Sequence, residues 1–278
     1  MLAAGADNMM TAWNLEGAAP TRLNWETYWE GRPSSFSHDS QLVQFHGSCW
    51  SLETNPPAAI SESIPEASRF NPSEPSLVSI WGNRMFQRDW ELTKRGRLVF
   101  TKERDLWIST APQFTGTALM TLQFGAKRFA APQDEHTIGV WSLATPEKPL
   151  HELKHELNLN YHAGPPALTL SPGGNVLLAF SQQGSIVWDL EESPPREYRL
   201  QLDAHLQNAF FTTDNKLLVV ADFNGVGIYD WAADREVRRL KYPGTVRQVI
   251  PHPDGRHLVT VNGNGTVYIL RLPDLLNR

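Results

Sequence analysis

Short hydrophobic runs alternate with polar turns along the chain, and the same arrangement recurs through most of its length. The arrangement is clearest in residues 167–190, 209–231 and 247–272. Each of these segments contains an alternating apolar stretch, a polar turn, a hydrophobic run, a glycine-containing turn and a further hydrophobic run. Alternation with a period of two predicts half-buried strands, and runs such as "VLLAF" and "KLLVVA" predict strands covered on both faces. The pattern therefore predicts repeated units of short β-strands.

The third strand of each unit ends at a regular interval. The seven ends fall near residues 13, 50, 90, 141, 188, 229 and 270, at a mean interval of about 43 residues, inside the 40–45 typical of WD40 repeats. The dipeptide Trp188-Asp189 is intact, Tyr229-Asp230 is a conservative change, and Trp-Asn, Trp-Ser or Trp-Glu stands elsewhere. In these features the chain resembles the WD40-repeat β-propeller family, in the degenerate form seen in bacterial proteins.

The resemblance implies an all-β fold in which residues 1–278 form a single seven-bladed propeller of four-stranded antiparallel blades. We expect the recurring tryptophans to fill the space between blades, namely Trp13, Trp50, Trp90, Trp141 and Trp188. Residues 1–15 supply only the second and third strands of the first blade, and too few residues follow Leu272 for a fourth strand. We therefore expect a truncated chain that lacks the N-terminal strands closing the ring. By analogy, it would be the propeller of a larger protein with a covalently linked upstream domain.

Composition narrows the classes of function. The chain has 278 residues and a net charge of −5, so bulk electrostatics predicts neither nucleic-acid nor membrane binding. The first residues lack the features of a secretory signal, and no apolar run approaches the roughly 20 residues that a membrane span needs. Cys49 is the single cysteine, which excludes an internal disulfide framework and suits a reducing compartment. We expect a cytoplasmic protein.

One motif suggests catalysis. His151-Glu152-Leu153-Lys154-His155 matches H-E-x-x-H, which binds zinc when it lies on a helix. Here the motif follows Trp141 and falls on the predicted outer strand of the fourth blade, where residues i and i+4 lie roughly 13 Å apart. Two nitrogens that share a zinc ion must lie within about 4 Å of each other. A zinc-dependent hydrolase is therefore the less favoured alternative, and we expect no metal, no cofactor and no enzyme.

The family resemblance gives His155 a different role. It falls at the histidine of the family's Gly-His pair, which typically bonds an aspartate in the turn before the third strand. Glu135 occupies that aspartate position in the fourth blade. The usual buried network is thus eroded, and the partner of His155 is an open question.

Two basic segments are interpreted as solvated outer strands. "TKRGRLVFTKERD" carries Lys94, Arg95, Arg97, Lys102 and Arg104, but interspersed carboxylates dilute it, so a nucleic-acid patch is not expected. In "DREVRRLKY", Arg235, Arg238, Arg239 and Lys241 alternate with apolar residues, which indicates protection of a sheet edge.

The expected function is a non-catalytic scaffold for protein partners. In the family, partners most often meet the face formed by loops that enter the first strand and turns that join the second to the third. Trp25 and Trp29 lie outside the repeat pattern and either contribute to a contact surface or pad an irregular outer strand. The candidate partner-binding residues are Asn8, His46, Arg84, Glu135, Tyr161, His162, Gln183, Asn224, Tyr242, Asn264 and Trp29.

Overall fold

The computed structural model divides the chain into two compact units, Met1–Leu119 and Met120–Arg278. The expectation of a single domain over 1–278 stays a prediction. The structure describes residues 2–6, 9–14, 21–26, 33–37, 39, 41–45, 48–53, 57–60, 64, 68–70, 75–81, 84–94, 96–108, 123–134, 136–145, 148–157, 168–202, 206–242, 245–251, 256–264 and 266–272.

The first unit contains three antiparallel sheets, each with its strands in chain order. Sheet 1 consists of β1 Leu2–Ala6, β2 Met9–Asn14 and β3 Thr21–Glu26. Sheet 2 consists of β4 Pro33–Phe36, β5 Leu42–Phe45, β6 Ser48–Ser51 and β7 Ala58–Ala59. Sheet 3 consists of β8 Ser68–Phe70, β9 Ser76–Trp81, β10 Arg84–Leu92 and β11 Leu98–Ile108.

The second unit contains four sheets built in the same way. Sheet 4 has β12 Gln123–Phe124, β13 Arg128–Asp134, β14 Thr137–Ser142 and β15 His151–Lys154. Sheet 5 has β16 Leu168–Leu170, β17 Val176–Ser181, β18 Gly184–Asp189 and β19 Arg196–Leu200. Sheet 6 has β20 Asn208–Phe211, β21 Leu217–Asp222, β22 Gly225–Asp230 and β23 Arg235–Leu240. Sheet 7 has β24 Val246–Pro251, β25 His257–Asn262 and β26 Val267–Arg271.

This architecture is the predicted all-β fold of seven antiparallel sheets, five of which have four strands within the described residues. Seven strands end within two residues of the positions expected for the third strand of each blade. They are β2, β6, β10, β14, β18, β22 and β26. Sheets 1 and 7 each have three described strands. The predicted truncation of the chain stays a prediction. Trp25 lies within β3, which pairs with β2, and its side chain lies outside the described ones.

The recurring aromatic residues pack in the core, as expected. Trp90, Trp141 and Trp188 are buried, while Trp50 is half-buried and the side chain of Trp13 lies outside the described ones. The cores lie between neighbouring sheets of one unit. One cluster joins sheets 4 and 5 and includes Trp188. Others join sheets 5 and 6, sheets 6 and 7, and, in the first unit, sheets 2 and 3. In each of these pairs, a sheet thus buries one face against its neighbour in the chain.

A glycine makes room for the aromatic ring in two of these third strands. A Cβ on Gly139 would lie 2.2 Å from the indole of Trp141, because that ring folds back over the residue two positions earlier on the same face. The indole also stacks on Phe129 at a centroid distance of 5.1 Å. In sheet 6, a Cβ on Gly227 would lie 2.6 Å from the ring of Tyr229. The sequences "GVW" and "GIY" therefore specify how these rings pack.

Sheet 6 contains a buried ionic network that joins three of its strands. Arg239 on β23 donates to Oδ2 of the fully buried Asp222 on β21 at 2.6 Å. It also donates to the hydroxyl of Tyr229 at 2.7 Å and to Glu236 at 2.7 and 2.9 Å. Burial, together with the bond to Glu236, raises the pKa of Tyr229 to about 12. The interpretation of Arg239 as edge protection is therefore wrong, because this side chain is only 21% exposed and is committed to the interior.

Candidate functional site

Three of the candidate partner-binding residues occupy equivalent turns of the second unit. Gln183, Asn224 and Asn264 lie between the second and third strands of sheets 5, 6 and 7, and all three are exposed. Four antiparallel strands return the chain to the end of the sheet at which it started, so the equivalent turn of each sheet emerges at the same end. We call this end the turn face and define it by residues 182–183, 223–224 and 263–264.

Each turn is tightened by a side chain that accepts a backbone N–H. Ser181 Oγ accepts from Gln183 N at 3.1 Å, and Asn264 Oδ1 accepts from Thr266 N at 3.1 Å. In sheet 6, Asp222 Oδ1 accepts from Asn224 N at 2.7 Å. Such local bonds are the reason that serine, aspartate and asparagine favour turns. The turn residues therefore hold defined positions on the face.

The sheet 6 turn also depends on a glycine. Gly225 has φ +127°, and a Cβ there would lie 2.0 Å from the carbonyl oxygen of Leu240. Arg239 donates a hydrogen bond to Asp222 Oδ2. The turn is therefore fixed both by this bond and by the close approach of Gly225 to Leu240. The result is a short rigid platform for the two residues at its tip, Phe223 and Asn224.

Phe223 is the feature of the turn face that the sequence analysis missed. Its side chain is 51% exposed, beside the predicted candidate Asn224. The signal was present in "ADFNG", where one large apolar residue interrupts a polar turn. An exposed aromatic ring on a rigid turn is a typical contact residue of protein interfaces.

Tyr242 lies in the connection from sheet 6 to sheet 7, at the end that carries the turn face. It is half-buried, and its ring stacks on Tyr268 at a centroid distance of 5.7 Å. Burial, followed by the neighbouring Tyr268, raises the pKa of Tyr242 to about 12. The ring is therefore partly anchored in the core between sheets 6 and 7.

Arg84 belongs to the first unit, where it begins β10. Its guanidinium donates to Glu103 at 2.8 Å and to Asp105. The bond to Asp105 is the main cause that raises the pKa of Arg84 above its ordinary value. The remaining candidates lie outside the described residues: Asn8, Trp29, His46, Glu135, Tyr161 and His162.

The first four residues of the H-E-x-x-H motif lie on strand β15 rather than on a helix, as predicted. His151 pairs with Val140 and Lys154 with Thr137 in the ladder between β15 and β14. His151 is half-buried, whereas His155 follows the strand and is buried. Extended backbone separates the two histidines by roughly 13 Å, too far for one zinc ion. Within the described part of the chain, no three His, Cys, Asp or Glu residues are grouped to hold a metal.

His155 packs beside His136, with ring centroids 6.5 Å apart. Among the described residues, neither of its ring nitrogens has a hydrogen-bond partner of good geometry. Burial lowers the pKa of His155, and the smaller influences of Leu157 and Asp134 raise it. Burial therefore favours the neutral form of this imidazole.

In the described residues, no helix is long and apolar enough to cross a membrane.

Comparison with known proteins supports the fold. No family model matches the chain. "Protein LST8 homolog" of Drosophila melanogaster is 25% identical over 158 residues, 52% of this chain and 48% of that protein. The match thus spans about half the length of this curated relative.

Two solved structures share the fold at low identity. Saccharomyces cerevisiae Sqt1 has a TM-score of 0.60 at 16% identity, covering 98% of this chain and 79% of that one. A chain of hydrazine synthase from Kuenenia stuttgartiensis has a TM-score of 0.63 at 11% identity, covering 95% and 92%. Likeness at these identities shows a shared fold and carries no activity. The predicted resemblance is confirmed: the chain is similar in sequence and in structure to WD40-type β-propeller proteins.

Proposed function

We propose that the chain is a non-catalytic platform for protein partners and that the turn face of sheets 5–7 is its contact surface. The observation that carries the proposal is the exposed ring of Phe223 at the tip of a turn fixed by Asp222 and Gly225. Aromatic residues are enriched in interface cores. A rigid turn also loses little conformational freedom on binding, so less of the contact energy is spent on ordering.

Neighbouring positions complete the proposed surface. Gln183 and Asn264 supply exposed polar groups on the flanking sheets, and Tyr242 supplies a half-buried ring in the adjoining connection. A polar rim around an aromatic centre is the usual composition of a protein interface. The sequence candidates Asn8, His46, Glu135, Tyr161, His162 and Trp29 lie outside the described residues and remain predicted partner-binding residues.

The experiment compares partner recovery by matched variants. Purified wild-type chain, Phe223→Ala and Ile269→Ala are immobilised, and bound proteins from a lysate of the source cells are quantified by mass spectrometry. Ile269 is a suitable control because it is 53% exposed but lies within β26 rather than at a turn. We expect partners recovered by the wild type to fall about tenfold with Phe223→Ala, the loss typical of a contact residue, and to persist with Ile269→Ala. Equal recovery by all three proteins would refute the proposed surface.

The absence of catalysis is part of the proposal and has its own test. The strand position of His151 and His155 supports it, because a zinc site requires both nitrogens on one ion. Metal analysis of the purified protein and of His151→Ala addresses the alternative hydrolase. Stoichiometric zinc in the wild type that is lost in the variant would overturn the non-catalytic assignment.

A further inference from the structure

A second candidate binding site lies in the first unit, on one face of β10 and β11. Arg84, Phe86 and Arg88 share one face of β10, because both guanidinium groups lie 4.9 Å from the centroid of the Phe86 ring. Across the ladder, Phe86 pairs with Asp105 and Arg88 pairs with Glu103. Two arginines and two carboxylates thus surround one phenyl ring.

The two arginines differ in what they bind. Arg84 donates to both Glu103 and Asp105, so its charge is matched by two carboxylates. Arg88 lies over the ring of Phe100 at 4.3 Å and over that of Phe86 at 4.9 Å. Stacking on aromatic faces fixes the plane of a guanidinium and leaves its in-plane N–H donors available.

Those donors are not used within the described residues. The contact from Arg88 Nε to Glu103 Oε2 measures 3.8 Å, which is too long for a hydrogen bond. Among the described residues no acceptor bonds to Arg88, and its Nε is shielded from solvent. Burial lowers the pKa of Arg88, and Glu103 raises it, but an arginine stays charged at neutral pH. A largely buried guanidinium with an unfilled Nε donor is costly, and a ligand anion on the guanidinium would reduce that cost.

An open cavity lies beside this group. It has a volume of about 330 Å³ and is lined by Arg84, Phe86, Arg88 and Glu103. The volume is at the lower end of the roughly 300–1,000 Å³ of small-ligand sites. A single side chain fits such a space better than a folded domain does.

We propose that this cavity receives the carboxylate of a glutamate or aspartate side chain from a protein partner, held by the guanidinium of Arg88. A guanidinium matches a carboxylate with two parallel hydrogen bonds. Arg84 is paired with Glu103 and Asp105, so Arg88 is the cation without a hydrogen-bonded counter-ion and suits a ligand with a single negative charge. A phosphate carries about two negative charges and would be repelled more strongly by those carboxylates.

This site goes beyond the proposed function, because it lies in the first unit and shares no residue with the turn face. Failure of one proposal therefore leaves the other unaffected. Phe223→Ala serves as the control here, just as a variant of Arg88 can serve as the control for the turn face.

The test uses two blocked tripeptides that differ by one charge, acetyl-Leu-Glu-Leu-amide and acetyl-Leu-Gln-Leu-amide, with inorganic phosphate as a third probe. Binding is followed by NMR through the Nε–H signal of Arg88. We expect the glutamate peptide to shift this signal in a saturable manner, at a concentration at least tenfold below that of the glutamine peptide. Equal binding of the two peptides, or tighter binding of phosphate than of the glutamate peptide, would overturn the assignment.

Two substitutions with opposite effects separate binding from misfolding. Arg88→Gln should weaken the glutamate peptide about tenfold, the value of a charge-assisted hydrogen bond. Glu103→Gln removes the competing carboxylate and should tighten the same peptide several-fold, while Arg84 keeps Asp105 as its partner. A destabilised protein would not bind more tightly, so unchanged or weaker binding in Glu103→Gln would contradict the proposal. Phe223→Ala should bind the peptide as the wild type does.

Discussion

The ion pair between Arg239 and Asp222 gives a sharp prediction for the stability of sheet 6. Replacing Arg239 with methionine leaves the Asp222 carboxylate fully buried and without its cation. Breaking a buried pair from one side costs about 3–5 kcal/mol, because the remaining charge is uncompensated. We expect the free energy of opening of β21 and β22 to fall by this amount at neutral pH.

The double variant Asp222→Asn/Arg239→Met separates the buried charge from lost packing. Asparagine keeps an oxygen that can accept from Asn224 N, as Asp222 Oδ1 does at 2.7 Å. It carries no charge to be compensated, so the double variant should be more stable than Arg239→Met alone. The expected coupling free energy is about 2 kcal/mol or more, within the range for residues in direct contact.

The control is an ion pair at the equivalent outer strand of sheet 5. Arg199 on β19 contacts Glu197 at 2.8 Å, but its side chain is 69% exposed. Exposed pairs contribute about 0–1 kcal/mol, so Arg199→Met should change little.

Native-state hydrogen exchange is the suitable assay, because it measures opening of each sheet separately and does not require the whole chain to unfold in one step. The amides of β21 and β22 report on sheet 6, and those of β17 and β18 on sheet 5. If Arg239→Met costs no more than Arg199→Met, the network does not stabilise the sheet. If the two sheet 6 substitutions are additive, the cost does not come from the stranded carboxylate.

Three further predictions concern packing and titration. Gly139→Ala should destabilise sheet 4 by about 1–3 kcal/mol, measured by exchange of β13 and β14 amides, because the new methyl group overlaps the ring of Trp141. In an absorbance titration at 295 nm, Tyr229→Phe and Tyr242→Phe should each remove one phenol that ionises near pH 12, since the pKa of both groups is raised from 10.0 to about 12. Because the unfolded state ionises first, each of these tyrosines stabilises the fold below pH 10 and loses that contribution as the pH rises to 12. Burial lowers the pKa of His155 from 6.5, so the unfolded state binds more protons and stability should fall as the pH drops below about 6.5. His155→Leu should flatten this decline in exchange measurements, and an unchanged slope would show that another group is responsible.

The sheets were predictable because their signals are local and repeated. The alternation of apolar and polar residues over a few positions predicts which face of a strand is buried. A large aromatic ring recurs at the same position because it fills the space between neighbouring sheets. Trp141 and Trp188 occupy this position, and both are buried. Four-stranded units and the positions of their third strands could therefore be predicted without knowledge of any contact.

The contents of the candidate sites were less predictable, because they depend on pairs that are distant in the chain. Arg239 and Asp222 are separated by 17 positions and meet only after three strands have paired. Likewise, Arg88 stacks on Phe100 across a ladder with register shifts in its pairing. In sequence, these arginines look like the solvated residues around them. Phe223 is different, since its exposure in a polar turn is a local signal that could have been used.

The polar interiors of sheets 4 and 6 show why one fold tolerates eroded repeats. Next to sheet 4, His155 is buried without a ring hydrogen bond of good geometry among the described residues, and burial lowers its pKa, which favours the neutral form. In sheet 6, Asp222 is buried at the end of β21, and Arg239 on β23 supplies the compensating charge. The two arrangements limit the same cost, because an unpaired buried charge is far more unfavourable than a neutral polar group or a paired charge. Asp222 also accepts a hydrogen bond from Asn224 N and so fixes the turn of sheet 6. Loss of Arg239 should therefore loosen the turn that carries Phe223. Stability and the proposed contact are therefore coupled in sheet 6.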